Sequence, residues 1–380
     1  MQSLLLSMSG IYIHIPFCKK ACHYCNFHFS TQLERKSQLV DSIVEEIQWR
    51  KDYLHDQNIH TIYLGGGTPS VLSEKELFKI LNSVYKNFQV SGTVELTLEA
   101  NPDDLDAEKL RSLRQLEVNR LSIGVQSFFE ADLTYMNRSH NASQAESSLK
   151  RAQDHGFENI SIDLIYGSPT TTDAMWKENV AKALSLSIPH LSCYALTVEP
   201  NTALAHFIKA KKTVAPDEDR SAQQFHHLIE ATAANHYLHY EISNFALADQ
   251  LSQHNTNYWR GVPYLGIGPA AHSFNGSSRQ WNVSHNAHYM KHVEAHDSTS
   301  LFEVEKLSPE DQTNEYIMTS LRTMWGLDIN HIASIEHQIK VKAAAQKYIE
   351  RGLMILEEDK FIITKEGKFL ADGIASDLFV

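Results

Sequence analysis

Apolar and polar residues alternate in six short runs: "IYIHI" (11–15), "IHTIYL" (59–64), "VELTLE" (94–99), "RLSIGV" (120–125), "ISIDLI" (160–165) and "LSCYAL" (191–196). Period-two patterning of this kind predicts strands. Between the runs the period lengthens to that of an amphipathic helix, as at Leu39, Ile43 and Ile47, or Leu77, Ile80, Leu81 and Val84. Strands and helices in alternation predict parallel βα units. Six units fall short of the eight that close a full barrel, so the pattern predicts an α/β fold, an open partial (βα)6 barrel whose open side is available to a large ligand.

From 197 to about 300 the text turns irregular. "TVEPNT", "HNTNYW" and "GIGPAAHSFNG" hold Gly, Pro and Asn between short strand-like pieces. From about 305, "EYIMTSLRTMWGLDINHIASI", a second helical pattern near 340–350 and "MILEEDKFIITKEGKFLADGI" read as helices followed by a hairpin. That order suits a small winged-helix-like domain. The chain is therefore expected to divide into a barrel with its cysteine-bearing loop (1–200), a barrel extension carrying "HNTNYW" (201–304) and the C-terminal domain (305–380). Such small domains often bind DNA, but this one shows no dense basic recognition helix, and a protein-packing role is expected of it.

Composition narrows the function. With 42% apolar and 21% charged residues the 380-residue chain has globular proportions. A net charge of -12, from 34 basic against 46 acidic residues, opposes a phosphate-driven nucleic-acid binder. No apolar run approaches the roughly 18 residues needed to span a bilayer, and "MQSLLLSMSG" lacks the charged start and the length of a secretory leader. A cytoplasmic place is expected, with peripheral membrane contact left open. Three of the four cysteines cluster, which in a reducing compartment favours ligands over bridges. The fourth, Cys193, reads as a small buried apolar residue.

Cys18, Cys22 and Cys25 form C-x3-C-x2-C in the loop after the first strand. Soft thiolates favour iron–sulfur clusters, zinc or Cu(I). Zinc would want a fourth ligand, which His14, His23 or His28 could supply; three thiolates alone suit a [4Fe-4S] cluster with one iron left open. The other strand ends are polar too. "LGGGTPS" follows the second, a glycine run that lets backbone amides approach a ligand, though alone it is equally a tight turn. Glu99, Gln126 and Asp163 stand at the ends of the third and fourth strands and on the fifth. Ligand groups gather at such C-terminal strand ends, so these side chains should meet at one mouth beside the cysteines.

The cysteine spacing just after "YIHIPF", joined to these motifs, resembles the radical S-adenosylmethionine superfamily. The resemblance implies a [4Fe-4S] cluster on Cys18, Cys22 and Cys25, its open iron chelated by the amino and carboxylate groups of S-adenosylmethionine. An electron from the cluster would break the sulfonium C5' bond and leave a 5'-deoxyadenosyl radical. It also implies that Gly66, Gly67 and Thr68 contact the methionyl amino group. Glu99, Gln126 and Asp163 would bind ribose, adenine-side or methionyl polar groups, and Tyr12 and Arg138 would add further cofactor contacts. For Arg138, a plain surface charge on a helix is the competing reading.

"YIHIPFC", "GGGTPS", "EANP", "SIGVQSF", "DLIYG", "YEISNFA", "HNTNYW" and "GIGPAAHSF" extend the resemblance over nearly the whole chain. Together they are similar to the oxygen-independent coproporphyrinogen III oxidase-like group, and within it to the haem chaperone branch. True oxidases of that group carry a further cysteine two residues after the third ligand, where this chain has Phe27, and a longer segment ahead of the cluster loop. "GSP", with Ser168 where relatives usually carry Leu, is a small departure expected to touch packing only. His254 of "HNTNYW" is then implied as a haem contact, since neutral imidazole ligates haem iron and aromatics can lie against a porphyrin face. The same residues could instead brace a turn over the barrel. The resemblance implies a chaperone that holds haem and passes it to apo-haem acceptor proteins, with the respiratory membrane as a candidate destination and pairing of two copies left open. The alternatives are oxidative decarboxylation of coproporphyrinogen III propionates to vinyl groups and a zinc-stabilised binding module.

Overall fold

Ile11, Ile13 and Ile15 of β1 (Ser9–Ile15) are fully buried in an apolar cluster with Leu39, Ile43 and Ile47 of the helix Lys36–Trp49. Tyr12 and His14 alternate with them and so take the opposite face. The same alternation runs through β2 (Asn58–Gly66), β3 (Gln89–Ala100), β4 (Arg120–Gln126), β5 (Asn159–Tyr166) and β6 (His190–Ala195). Leu98, Leu121 and Ile162 join the apolar cluster, while Glu99, Ser122 and Asp163 turn inward. A closed barrel fills its interior with branched apolar side chains; this one keeps a polar interior. The computed structural model describes residues 9–380, so the stretch 1–8, part of the segment read as lacking a leader, lies outside the described residues.

β1 to β6 pair in chain order and in parallel, as the six apolar runs predict. The ring does not close, because β1 is flanked by β9 and β2 while β6 is flanked by β5 and β8 in a single 12-stranded sheet. At one edge β9 (Tyr264–Ile267) adds parallel to β1, followed by antiparallel β10 (His272–Phe274), β11 (Ser278–Asn282) and β12 (Phe302–Lys306). At the other edge β8 (Asn244–Ala246) and β7 (Leu238–Glu241) run antiparallel. The stretch read as irregular therefore continues the barrel's own sheet and also holds the helices Glu218–Ala234, Gln253–Trp259 and Asn286–Glu294. Its strands are three to five residues long, too short for a period to show between Gly and Pro turns. We propose 201–304 as a barrel extension on that ground.

A buried ion pair fastens the extension to the barrel. Glu46 and Arg50, one helical turn apart at 3.0 Å, both reach into β9–β11. Glu46 accepts from Gly268 N (2.8 Å), Asn282 Nδ2 (2.7 Å) and Tyr289 Oη (2.6 Å), and Arg50 donates to Gly266 O (3.0 Å) and Gln280 Oε1 (2.8 Å).

The C-terminal part has its own apolar cluster, with Ile317, Leu321, Val341, Phe361 and Ile374 at its centre. Ser308 and Asp311 form a reciprocal cap with Pro309 at the first helical position, which starts the helix Pro309–Leu321. β13 (Leu327–Asp328) follows, then the helix Ile335–Glu350, β14 (Met354–Glu357) and β15 (Lys360–Ile363), the three strands pairing antiparallel with β15 in the middle, and a last helix Ala371–Asp377. This is the expected winged-helix-like arrangement. Among the described residues no helix is long and apolar enough to cross a membrane.

Candidate functional site

The loop leaving β1 folds back on itself. Cys18 N donates to Ser30 O (3.0 Å) and Ser30 N to Pro16 O (2.8 Å), so the chain between them bulges over the barrel mouth and carries three thiols with it. Cys18, Cys22 and Cys25 line a cavity of about 660 Å³. The "GGGTPS" turn is stitched to the base of this loop through Gly67 N to Ile15 O (2.9 Å) and Thr68 N to Phe17 O (2.7 Å). A Cβ on Gly67 would lie 2.8 Å from backbone atoms of Ile15 and Phe17, and Gly66, at φ +106°, would drive one to 2.5 Å from the His14 ring. Two of the glycines are thus required by close approach to β1.

Gly66, Gly67, Thr68, Glu99, Gln126, Arg138 and Asp163 all line the same cavity as the thiols. Glu99 accepts from Tyr63 Oη (2.8 Å) and Gly66 N (3.0 Å), which ties β3 to the glycine turn. Thr68 Oγ1 donates to Cys18 Sγ at 3.4 Å. Gln126 sits at φ +65°, a strained place for a side-chain-bearing residue, beside an irregularity in the β4–β5 pairing. Arg138 is no surface helix charge: its Nη1 is 3.2 Å from Cys22 Sγ, and its Nη2 donates to Asn101 Oδ1 (2.7 Å) and Gly124 O (2.8 Å).

Burial raises the carboxyl of Glu99 to about 7, with the nearby Asp163 adding to the effect, and burial raises Asp163 to about 6. Burial also pushes the Cys18 thiol up to about 11 and raises Cys25. Burial alone thus favours the protonated forms of these groups, and a cation bound among them would favour the charged ones. Among the described residues no histidine lines this cavity. His14 spends both ring nitrogens on Tyr12 Oη (3.1 Å) and His28 O (2.9 Å), and His23 turns to Tyr135 O (2.9 Å) against the Phe207 ring. A zinc site completed by His14, His23 or His28 is therefore not what these residues build. The donor set of three thiols without a fourth protein ligand fits a [4Fe-4S] cluster with an open iron.

Two expected contacts lie elsewhere. Tyr12 faces a second cavity, of about 1,060 Å³, and does not line the first. That cavity occupies the gap between β1 and β6, walled by Tyr12 and His14 on one side and Tyr194 on the other. His254 lines neither cavity. It is only 3% exposed, with Nδ1 2.8 Å from Thr61 Oγ1 and Nε2 enclosed without a partner among the described residues. The reason is the cap of its helix: Glu95 accepts from the amides of Gln253 and His254 at 2.9 Å each, which turns the His254 ring down onto Tyr63 at 5.0 Å between centroids. Burial and Arg120 lower its pKa to about 3, so the ring is neutral.

Several residues of the two cavities are not marked by any local sequence pattern. Asn101, inside the quoted "EANP", orients Arg138 and also reaches Thr68 Oγ1 at 3.5 Å. Arg322 and Lys368 come from the C-terminal domain and line the first cavity, so that domain does more than pack. Burial lowers Lys368 to about 8. His272 and Arg279 line the second cavity from β10 and β11; burial, then Arg279, lowers the His272 pKa.

Residues 12–183 match the Radical SAM superfamily and residues 307–370 the HemN C-terminal domain. The chain is 33% identical over 374 residues to the heme chaperone HemW of Bacillus subtilis, covering 97% of this chain and 98% of that one. It is 36% identical over 324 residues to the heme chaperone HemW of Lactococcus lactis, covering 85% and 84%. Among solved structures, coproporphyrinogen III oxidase (HemN) from Escherichia coli superposes with a TM-score of 0.85 at 22% identity, over 100% of this chain and 93% of that one, which establishes the shared fold. The sheet order, the cysteine-lined mouth and these relatives agree: the chain belongs to the HemW family of the radical SAM superfamily.

Proposed function

We propose that the protein is a haem chaperone, which holds haem and delivers it to apo-haem acceptor proteins, and that it carries a [4Fe-4S] cluster and S-adenosylmethionine in the cysteine-lined cavity. The observation that carries this reading is the pair of adjoining cavities, which share Asn26, Phe27, Tyr194, Ser243 and Arg322. One has the donors for a cluster; the other is as large as pockets for sizeable ligands, about 300–1,000 Å³. Cys18, Cys22 and Cys25 would hold the cluster. Gly66, Gly67 and Thr68 would face the methionyl amino group, and Glu99, Gln126 and Asp163 the remaining polar groups of the cofactor. When bound, the cluster supplies one-electron chemistry beside the cofactor's sulfonium. Arg138 holds a positive charge against Cys22 Sγ, and Phe27, 68% exposed, lines both cavities where they adjoin. A cytoplasmic place, with peripheral contact at the respiratory membrane during delivery, belongs to the same proposal.

The test uses the anaerobically reconstituted full chain. Loaded with haemin and mixed with apomyoglobin as acceptor, it should transfer haem, and supplied with coproporphyrinogen III, S-adenosylmethionine and reductant it should form no protoporphyrinogen beside an active authentic oxidase. Turnover of coproporphyrinogen would overturn the chaperone reading in favour of the oxidase one.

A further inference from the structure

The gap in the barrel, between β1 and β6, is where a flat macrocycle has room. Three histidines line that lateral cavity: His14, His28 and His272. His14 has both ring nitrogens engaged, as above, and His28 gives Nε2 to Asn286 Oδ1 at 2.7 Å. His272 differs from both. It is exposed on β10, and neither of its ring nitrogens has a hydrogen-bond partner among the described residues; its nearest ring neighbour is Trp281 at 6.1 Å. Around it the cavity offers the rings of Tyr258, Trp259 and Tyr264 and the guanidinium groups of Arg279 and Arg322.

Each feature matches a part of haem. Iron takes a neutral imidazole, aromatic rings lie against a porphyrin plane, and arginine forks suit carboxylates. The arginines already lean on acidic neighbours: Arg279 Nη2 donates to Glu315 Oε2 at 2.9 Å, and Arg322 donates to Asp372 and stands 3.9 Å from Glu241. They are therefore fixed at the rim, with further donors left for propionates.

We infer that haem enters the lateral cavity and that His272, not His254, is the protein ligand of its iron. This rests on the haem-holding reading above and names its site. His254 acts as a positioning residue. It anchors the "HNTNYW" helix to Thr61 and packs edge-on against Tyr258, a wall of the cavity, with ring centroids 4.9 Å apart.

The experiment titrates the reconstituted full chain with haemin, followed by absorption and low-temperature EPR, and with iron-free protoporphyrin IX, followed by fluorescence. Wild type is compared with His272→Ala, His272→Met and His254→Ala. His272→Ala should weaken haemin binding by at least about tenfold and lose the imidazole-ligated spectrum. Its protoporphyrin IX binding should change by less than about twofold, because iron-free porphyrin has no axial bond to lose. His272→Met, which keeps a ligand of different softness, should bind haemin with a thioether-type spectrum, and His254→Ala should keep the imidazole spectrum. If His272→Ala and His272→Met bind haemin as wild type does, or His254→Ala alone loses the imidazole spectrum, the assignment falls while the haem-holding reading stands. If wild type binds no haemin, both fall.

Discussion

Arg138 Nη1 stands 3.2 Å from Cys22 Sγ, and the same guanidinium is clamped by Asn101 Oδ1 and Gly124 O. A fixed cation against a ligand sulfur stabilises added negative charge, so it raises the reduction potential of whatever cluster the thiolates hold. Arg138→Gln should lower the midpoint potential, by about 60 mV for each 1.4 kcal/mol of interaction lost. An EPR-monitored redox titration measures it, and an unchanged potential would place the arginine outside the cluster's field.

Glu99 makes stability depend on pH. Its folded pKa of about 7 lies above its ordinary 4.5, so the folded state binds more protons than the unfolded one between those values. Stability is then greatest at the acidic end and falls as pH rises through the window, by roughly 3 kcal/mol in all at about 1.4 kcal/mol per unit. Asp163, raised to about 6, acts in the same direction. Glu99→Gln removes its share. Denaturant unfolding of the metal-free chain at pH 5 and pH 8 should show the variant gaining on wild type by about 2.5 kcal/mol across that range; parallel pH profiles would show that Glu99 is not held protonated.

Glu46 and Arg50 are enclosed together and share partners on β9–β11. Removing one member strands the other, at a cost of about 3–5 kcal/mol, whereas removing both with apolar replacements of similar volume costs far less. Glu46→Leu and Arg50→Met should each unfold at markedly lower urea, and the double variant should recover part of the loss. Additive effects of the two changes would mean that the pair is not coupled.

Gly67 abuts the backbone of β1, while Gly92 has nothing within 4 Å of an added Cβ. Gly67→Ala should cost about 1–3 kcal/mol through overpacking and lower the iron retained per chain after reconstitution. Gly92→Ala should stay within about 0.5 kcal/mol of wild type. Equal effects would show that the glycine turn is not pressed against the cysteine loop.

Most of the barrel was legible because Ile11, Ile13 and Ile15 alternate with Tyr12 and His14, and the other five strands repeat that habit. The cysteine mouth was legible because its ligands are close in sequence, and Glu99 and Asp163 because polar residues inside apolar runs stand out. The direction of His254 was not. It depends on Glu95 capping a seven-residue helix that begins 158 positions away, a contact that no local pattern carries. His272 and Arg279 stayed hidden on strands of three and five residues. Arg322 and Lys368 were missed because only tertiary packing brings the C-terminal domain over the mouth.

The measurement closest to the central claim, that one cavity holds the cluster and another holds haem, is made on the Cys18→Ala, Cys22→Ala, Cys25→Ala triple variant after anaerobic reconstitution. Iron–sulfur absorption and EPR are recorded alongside a haemin titration. The variant should lose the iron–sulfur signal and still bind haemin with the wild-type spectrum. An iron–sulfur signal that survives, or haemin binding that disappears from a folded variant together with the cluster, would contradict the two-cavity account.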